Sequence, residues 1–169
     1  MPSHIPPPNR DCSRSRRTFL VRTSMLPLLP ELLAACDDGG RPKGMSVIHW
    51  DRDTCSHCKM AISNHRFAVE LRGGPADTVF KFDDIGCLVK WTQRNVAKQP
   101  WIDDADVRIW VANFTSPNRN TVRWLDPRQA YYIGRSSPMG YNFAAVDSTN
   151  EKALGFEEMR QHILAKGME

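Results

Sequence analysis

Apolar and polar residues alternate along residues 66–72 (RFAVELR), where Phe67, Val69 and Leu71 face away from polar neighbours, the period-two pattern of a half-buried strand. Gly73-Gly74-Pro75 supplies a turn and residues 78–82 (TVFKF) a partner strand, so the pattern predicts a hairpin. The period then lengthens. Asp83-Asp84 offers an N-cap, and Ile85, Leu88, Val89 and Val96 fall near one side of a helix running to about Lys98. Residues 107–114 and 121–125 predict a second hairpin across 117–120, residues 130–133 a further strand, 136–140 a loop and 142–146 another strand. Ser148 with Glu151 makes a capping-box signature for a C-terminal helix, which Gly155 would interrupt before Phe156, Met159 and Ile163 resume an apolar face. The short apolar run 46–50 predicts one more strand, ahead of the segment Cys55-Ser-His-Cys-Lys-Met60.

Each half of this pattern joins a strand pair to a helix, and each has a Met-bearing loop ahead of a strand that starts Phe-Ala: Met60 before Phe67-Ala68, Met139 before Phe143-Ala144. The predicted fold is therefore α+β, a single domain over residues 46–169 in which two strand-strand-helix units follow one another.

The first 35 residues do not follow either period. Ser15-Arg16-Arg17-Thr18-Phe19-Leu20, a mildly apolar stretch and Leu33-Ala34-Ala35-Cys36 make an export leader that resembles a twin-arginine signal ending in a lipobox. On that reading Cys36 becomes a lipidated N-terminus, residues 36–45 a lipidated cysteine with a flexible Gly/Pro linker, and Asp37 an address that keeps the protein on the inner membrane, facing the periplasm. Arg22, Glu31, Pro27 and Pro30 leave the apolar stretch short of the about 20 uninterrupted residues that a span needs.

Charge takes its meaning from the same division. The chain carries 23 basic and 19 acidic side chains, and residues 1–35 hold five arginines against Asp11 and Glu31, which leaves 18 and 17. The basic balance belongs to the leader, and no Lys/Arg stripe remains to suggest nucleic acid. Of five cysteines, Cys12 leaves with the leader and Cys36 takes lipid. Cys55, Cys58 and Cys87 remain, an odd number that argues against a purely structural disulfide framework in an oxidising compartment.

Three chemistries compete for those sulfurs. Structural zinc wants four nitrogen or sulfur ligands, and Cys87 with His49, His57, His65 or His162 would have to complete a set that their spacing does not indicate. Cys-x-x-Cys around His57 is similar to the active-site tetrapeptide of thiol oxidants, but a hairpin rather than a long helix follows it. Cu(I) is soft and accepts few ligands, which suits thiolates and thioethers. In an extended segment Cys58 and Met60 share a side, and the Met139 loop is a candidate to close over them. Cys87, in the first turn of the predicted helix, gains thiolate character from the helix N-terminus.

The series Cys55-x-x-Cys58-x-Met60, Phe67-Ala68, Phe82-Asp83-Asp84-Ile85-Gly86-Cys87, Trp124-x-Asp126 with Ala130-Tyr131-Tyr132, and Pro138-Met139-Gly140 resembles the NosL family, the nitrous oxide reductase accessory lipoproteins. The resemblance implies a single α+β domain built of two similar ββαβ-like units, and a lipid-anchored Cu(I) chaperone rather than an enzyme. Its partners would be apo nitrous oxide reductase and an ABC-type membrane maturation complex. Cys58 and Met60 match the shared Cys-x-Met element. Phe114 lies where some members carry a further methionine, so Cys55, Cys87 and Met139 are the available substitutes. The alternative is a periplasmic thiol-disulfide oxidoreductase that maintains the cysteines of a copper protein.

Overall fold

The computed structural model describes residues 40–148 and 152–166. The leader, Cys36 and the capping-box residue Glu151 lie outside the described residues.

Six strands and two helices make an α+β domain. Strands β1 (Val69–Gly73), β2 (Thr78–Phe82), β3 (Arg108–Ala112) and β4 (Trp124–Leu125) form an antiparallel sheet in the order β2-β1-β3-β4, while β5 (Tyr131–Gly134) and β6 (Phe143–Val146) form a separate antiparallel pair. Helix α1 (Ile85–Asn95) follows β2 and helix α2 (Phe156–Ala165) ends the described chain. The strand-strand-helix order does occur twice, as β1-β2-α1 and β5-β6-α2, but the sheets are unequal because β3 and β4 add to the first.

Register explains where the core sits. Val69 lies opposite Phe82 and Val111, and Leu71 opposite Phe80 and Ile109, so one face of the sheet carries two apolar rows under α1. Leu88, Val89 and Trp91 of α1 are buried there, and Trp91 packs on Phe80 and Phe82 at centroid distances of 4.4 and 5.6 Å. A 3₁₀ turn, Pro100–Asp103, which the hydrophobic pattern did not indicate, brings Trp101 onto Phe80.

The opposite face carries Glu70, and here the predicted strand 46–50 fails: residues 46–50 form no strand. Ser46 instead gives its backbone N–H (2.8 Å) and its hydroxyl (2.6 Å) to the carboxylate of Glu70, which is fully buried. A buried carboxylate must be hydrogen-bonded, and that demand outweighs a weak local strand preference. The chain is already tied down before residue 46: Met45 is buried in the core, and Arg72 donates to the Gly44 carbonyl at 2.8 Å.

The C-terminal helix also starts elsewhere than the pattern predicted. Leu154 exchanges backbone hydrogen bonds of 2.9 Å with Tyr132 and so extends the β5 edge, and Gly155 is then the N-cap of one continuous α2 rather than a break within it. Among the described residues no helix is long and apolar enough to cross a membrane.

Candidate metal centre

Residues 55–60 make a tight closed loop rather than an extended run. Thr54 and Ala61 pair across its neck, the Cys55 N–H donates to the Met60 carbonyl (2.8 Å), and the Lys59 N–H returns to the Cys55 carbonyl (3.0 Å). Lys59 closes the loop with φ at 67°, a left-handed conformation uncommon for a residue with a side chain. The loop docks on β2 where the Ser56 N–H donates to the Lys81 carbonyl at 2.8 Å. The Lys81 ammonium adds a 2.6 Å ion pair to Asp53 just before the loop.

Because α1 begins three residues after β2 ends, this docking also brings the loop to the helix N-terminus. The sulfurs of Cys55, Cys58 and Cys87 then all lie within 4.8 Å of one another. Cys55 and Cys87 are buried, Cys58 is half-buried, and all three are free thiols. This group could hold a metal ion. Among the described residues no histidine joins it: His49 pairs with Asp53, His65 lies against the Ser116 carbonyl and His162 against the Phe143 ring. His57 sits in the loop, where burial pushes its pKa down and favours neutral imidazole.

The three sulfurs are electrostatically unequal. The Cys87 thiol hydrogen-bonds to the Cys55 sulfur, and the backbone N–H groups of Cys58, Asp83 and His57 add to it, which against the opposing effect of burial lowers the Cys55 pKa to about 4. Cys87 is pushed well up, first because its proton is the one held by Cys55 and then by burial. Burial raises Cys58. The directions of these shifts make Cys55, rather than Cys87 at the helix N-terminus, the thiol that ionises most readily.

Asp84 organises the surroundings. One carboxylate oxygen caps α1 by accepting the Gly86 N–H at 2.9 Å. The other accepts the Ser137 hydroxyl at 2.5 Å and the Met139 N–H at 3.4 Å. The loop that carries Met139 is thereby fastened to the helix end that carries Cys87, although 55 residues separate Asp84 from Met139. Met139 packs partly buried against the core, whereas Met60 is 56% exposed at the outer edge of the loop. With Lys59 left-handed between them, Cys58 and Met60 do not follow the alternation of an extended strand. Phe114 belongs to an aromatic contact with Phe67 at 5.6 Å.

Sequence reasoning gave Gly86 no role of its own and missed Tyr141. The Tyr141 ring lies directly on Gly86, so close that a β-carbon there would come within 2.1 Å of it, and burial raises the phenol's pKa. Gly86 is the one residue type that lets the ring cover this helix end. Asp83, behind the loop, accepts the Ser63 N–H at 3.3 Å, and burial lifts its carboxyl to about 6.

Fold and site together define a small α+β domain with a three-thiol candidate metal centre at the junction of a loop and a helix N-terminus. No protein-family model and no curated protein matches the sequence. Among solved structures, the crystal structure of the copper chaperone NosL from Shewanella denitrificans is similar, with 16% identity over 74% of this chain and 89% of that one and a TM-score of 0.45. What this chain binds has to be argued from its own side chains.

Proposed function

We propose that the protein is a Cu(I) carrier that holds one ion through the sulfurs of Cys55, Cys58 and Cys87 and passes it on by ligand exchange, without catalysing a covalent reaction. The observation that carries this is the trio of free thiols within 4.8 Å, two buried and one reaching the surface. Thiolates select Cu(I) over harder ions, and three of them satisfy it, whereas structural zinc would seek a fourth ligand, and among the described residues no histidine or carboxylate joins the three sulfurs. Cys55, the thiol with the lowered pKa, is the first to capture the ion; Cys58 and Cys87 lose protons as they bind. Half-buried Cys58 keeps the site open to an incoming ligand. Met60 and Met139 are reserve thioethers for the exchange.

The same reading extends to the cell. The leader would export the chain and Cys36 anchor it to the inner membrane on the periplasmic side. The recipient would be nitrous oxide reductase, reached together with an ABC-type membrane complex. Anaerobic Cu(I) titration of the reduced protein against a chromophoric chelator tests the core of it. One tightly held Cu(I) per chain, weakened at least about tenfold by Cys58→Ser, is expected. An unchanged affinity in that variant would remove Cys58 from the ligand set.

A second reading, thiol-disulfide exchange, is favoured by one specific feature: a Cys-x-x-Cys pair whose Cys55 thiol is lowered to about 4. Turnover in an insulin-reduction assay would support it, and the carrier reading predicts none.

A further inference from the structure

We infer that the exposed face over the thiols, formed by Lys59, Met60 and Arg94, is the surface through which the metal leaves, and that the partner it fits presents an anionic surface around its own metal ligands. This deepens the Cu(I)-carrier reading and rests on it.

Access comes first. Cys55 and Cys87 are buried, so an incoming ligand meets the cluster at half-buried Cys58, next to Lys59 and Met60. Among the described residues Met60 is the most exposed of the large apolar side chains, and it leaves a thioether in water at this point. Lys59 is exposed, and its left-handed backbone and an Nζ bond to the Ser56 carbonyl (2.8 Å) keep it on the loop.

Charge comes from the helix. Positions 87, 90 and 94 fall on one stripe of α1, so Lys90 and then exposed Arg94 continue the line of Cys87 over about 10 Å. The stripe meets the loop at the thiols themselves, since the Cys87 sulfur lies within 4.8 Å of those of Cys55 and Cys58, the residue before Lys59 and Met60. Lys90 spends its ammonium on the Leu164 carbonyl (3.4 Å), but among the described residues no ion pair takes up Lys59 or Arg94. The neighbouring carboxylates do not offset them at the surface: Asp83 is 4% and Asp84 0% exposed, and both are hydrogen-bonded inward.

A rim of unpaired cations round a soft-metal exit draws anionic acceptors and raises their encounter rate. A second copy of this chain does not fit that description, since beyond residue 35 it carries 18 basic against 17 acidic side chains.

Two chelators separate the charge effect from metal affinity. The Cu(I)-loaded full chain is mixed in a stopped-flow instrument with anionic bathocuproine disulfonate or with uncharged neocuproine. The capture rate should rise with chelator concentration, and for the anionic chelator it should fall on the order of tenfold between low salt and about 0.5 M. Arg94→Glu should slow anionic capture several-fold and leave neocuproine capture and equilibrium affinity unchanged, and Lys59→Glu should slow anionic capture by a larger factor than neocuproine capture. The salt series on the unsubstituted chain stands even if a variant folds poorly. Equal responses of the two chelators to salt and to charge reversal would overturn the inference, as would rates independent of chelator concentration. A chain that retains no Cu(I) would instead overturn the carrier reading beneath it.

Discussion

Replacing Gly86 by alanine should destabilise the domain, although the same change inside a helix ordinarily stabilises it. Gly86 is buried in the first turn of α1, where alanine alone would gain about 0.5–1 kcal/mol from helix propensity and reduced backbone entropy. The added β-carbon, however, would lie 2.1, 2.2 and 2.6 Å from Cγ, Cδ2 and Cδ1 of Tyr141. Carbon atoms in contact sit about 3.5–4 Å apart, so the ring has to retreat by about 1.5 Å from a loop that Asp84 holds to the same helix. Overpacking of that kind costs about 1–3 kcal/mol, which gives a net loss of about 1–2 kcal/mol. A double-mutant cycle isolates the cause. In a Tyr141→Ala background the overlap is gone, and Gly86→Ala should become stabilising by up to about 1 kcal/mol, a coupling of about 1–3 kcal/mol between the two positions. Urea unfolding followed by the fluorescence of the five tryptophans reads all four proteins. A neutral or stabilising Gly86→Ala in the native background, or coupling under about 0.5 kcal/mol, would refute the argument that the ring rests on this glycine.

Asp84→Ala removes both a helix cap and the acceptor for Ser137 and Met139, so a loss of about 2–3 kcal/mol is expected in the same unfolding assay, and a loss within about 0.5 kcal/mol would mean the clamp carries no energy. Asp83 holds its proton up to about 6 in the fold but not in the unfolded chain, so its contribution favours the native state at low pH and is lost as pH rises from about 4 through about 6. Asp83→Asn should therefore flatten that part of the stability–pH curve and gain at most about 3 kcal/mol at neutral pH; an unaltered slope would assign the effect to other groups. Ultraviolet thiolate absorbance of the reduced, metal-free chain should show one thiolate at neutral pH that vanishes as pH falls through about 4, and Cys87→Ala should move that midpoint upward because the Cys87 thiol is the largest cause of the shift. Absence of a thiolate at neutral pH would contradict the hydrogen-bonded pair.

The first hairpin and α1 were legible along the chain because their determinants are local. Alternation, the Gly73-Gly74 turn and the Asp84 cap each act within a few residues, and strand 78–82 and the start of α1 appear where the pattern put them. Local signals failed where a distant partner made a stronger demand. Ser46 answers the buried Glu70 carboxylate instead of forming a strand, and Leu154 pairs with Tyr132, which delays α2 until after Gly155.

What the sequence by itself determined was the inventory of the centre: Cys-x-x-Cys-x-Met, Cys87 behind a helix cap, and a methionine loop, all of which side-chain chemistry marks as soft-metal ligands. Which of them meet was decided by the tertiary structure. Docking of the loop on β2 brings Cys87 to within 4.8 Å of the other two sulfurs, while a left-handed Lys59 leaves Met60 at the surface. Which thiol ionises most readily followed from that meeting as well. A sulfur's charge is set by the hydrogen bonds it receives and by its burial, and those depend on contacts between residues far apart in the chain, which no local spacing encodes.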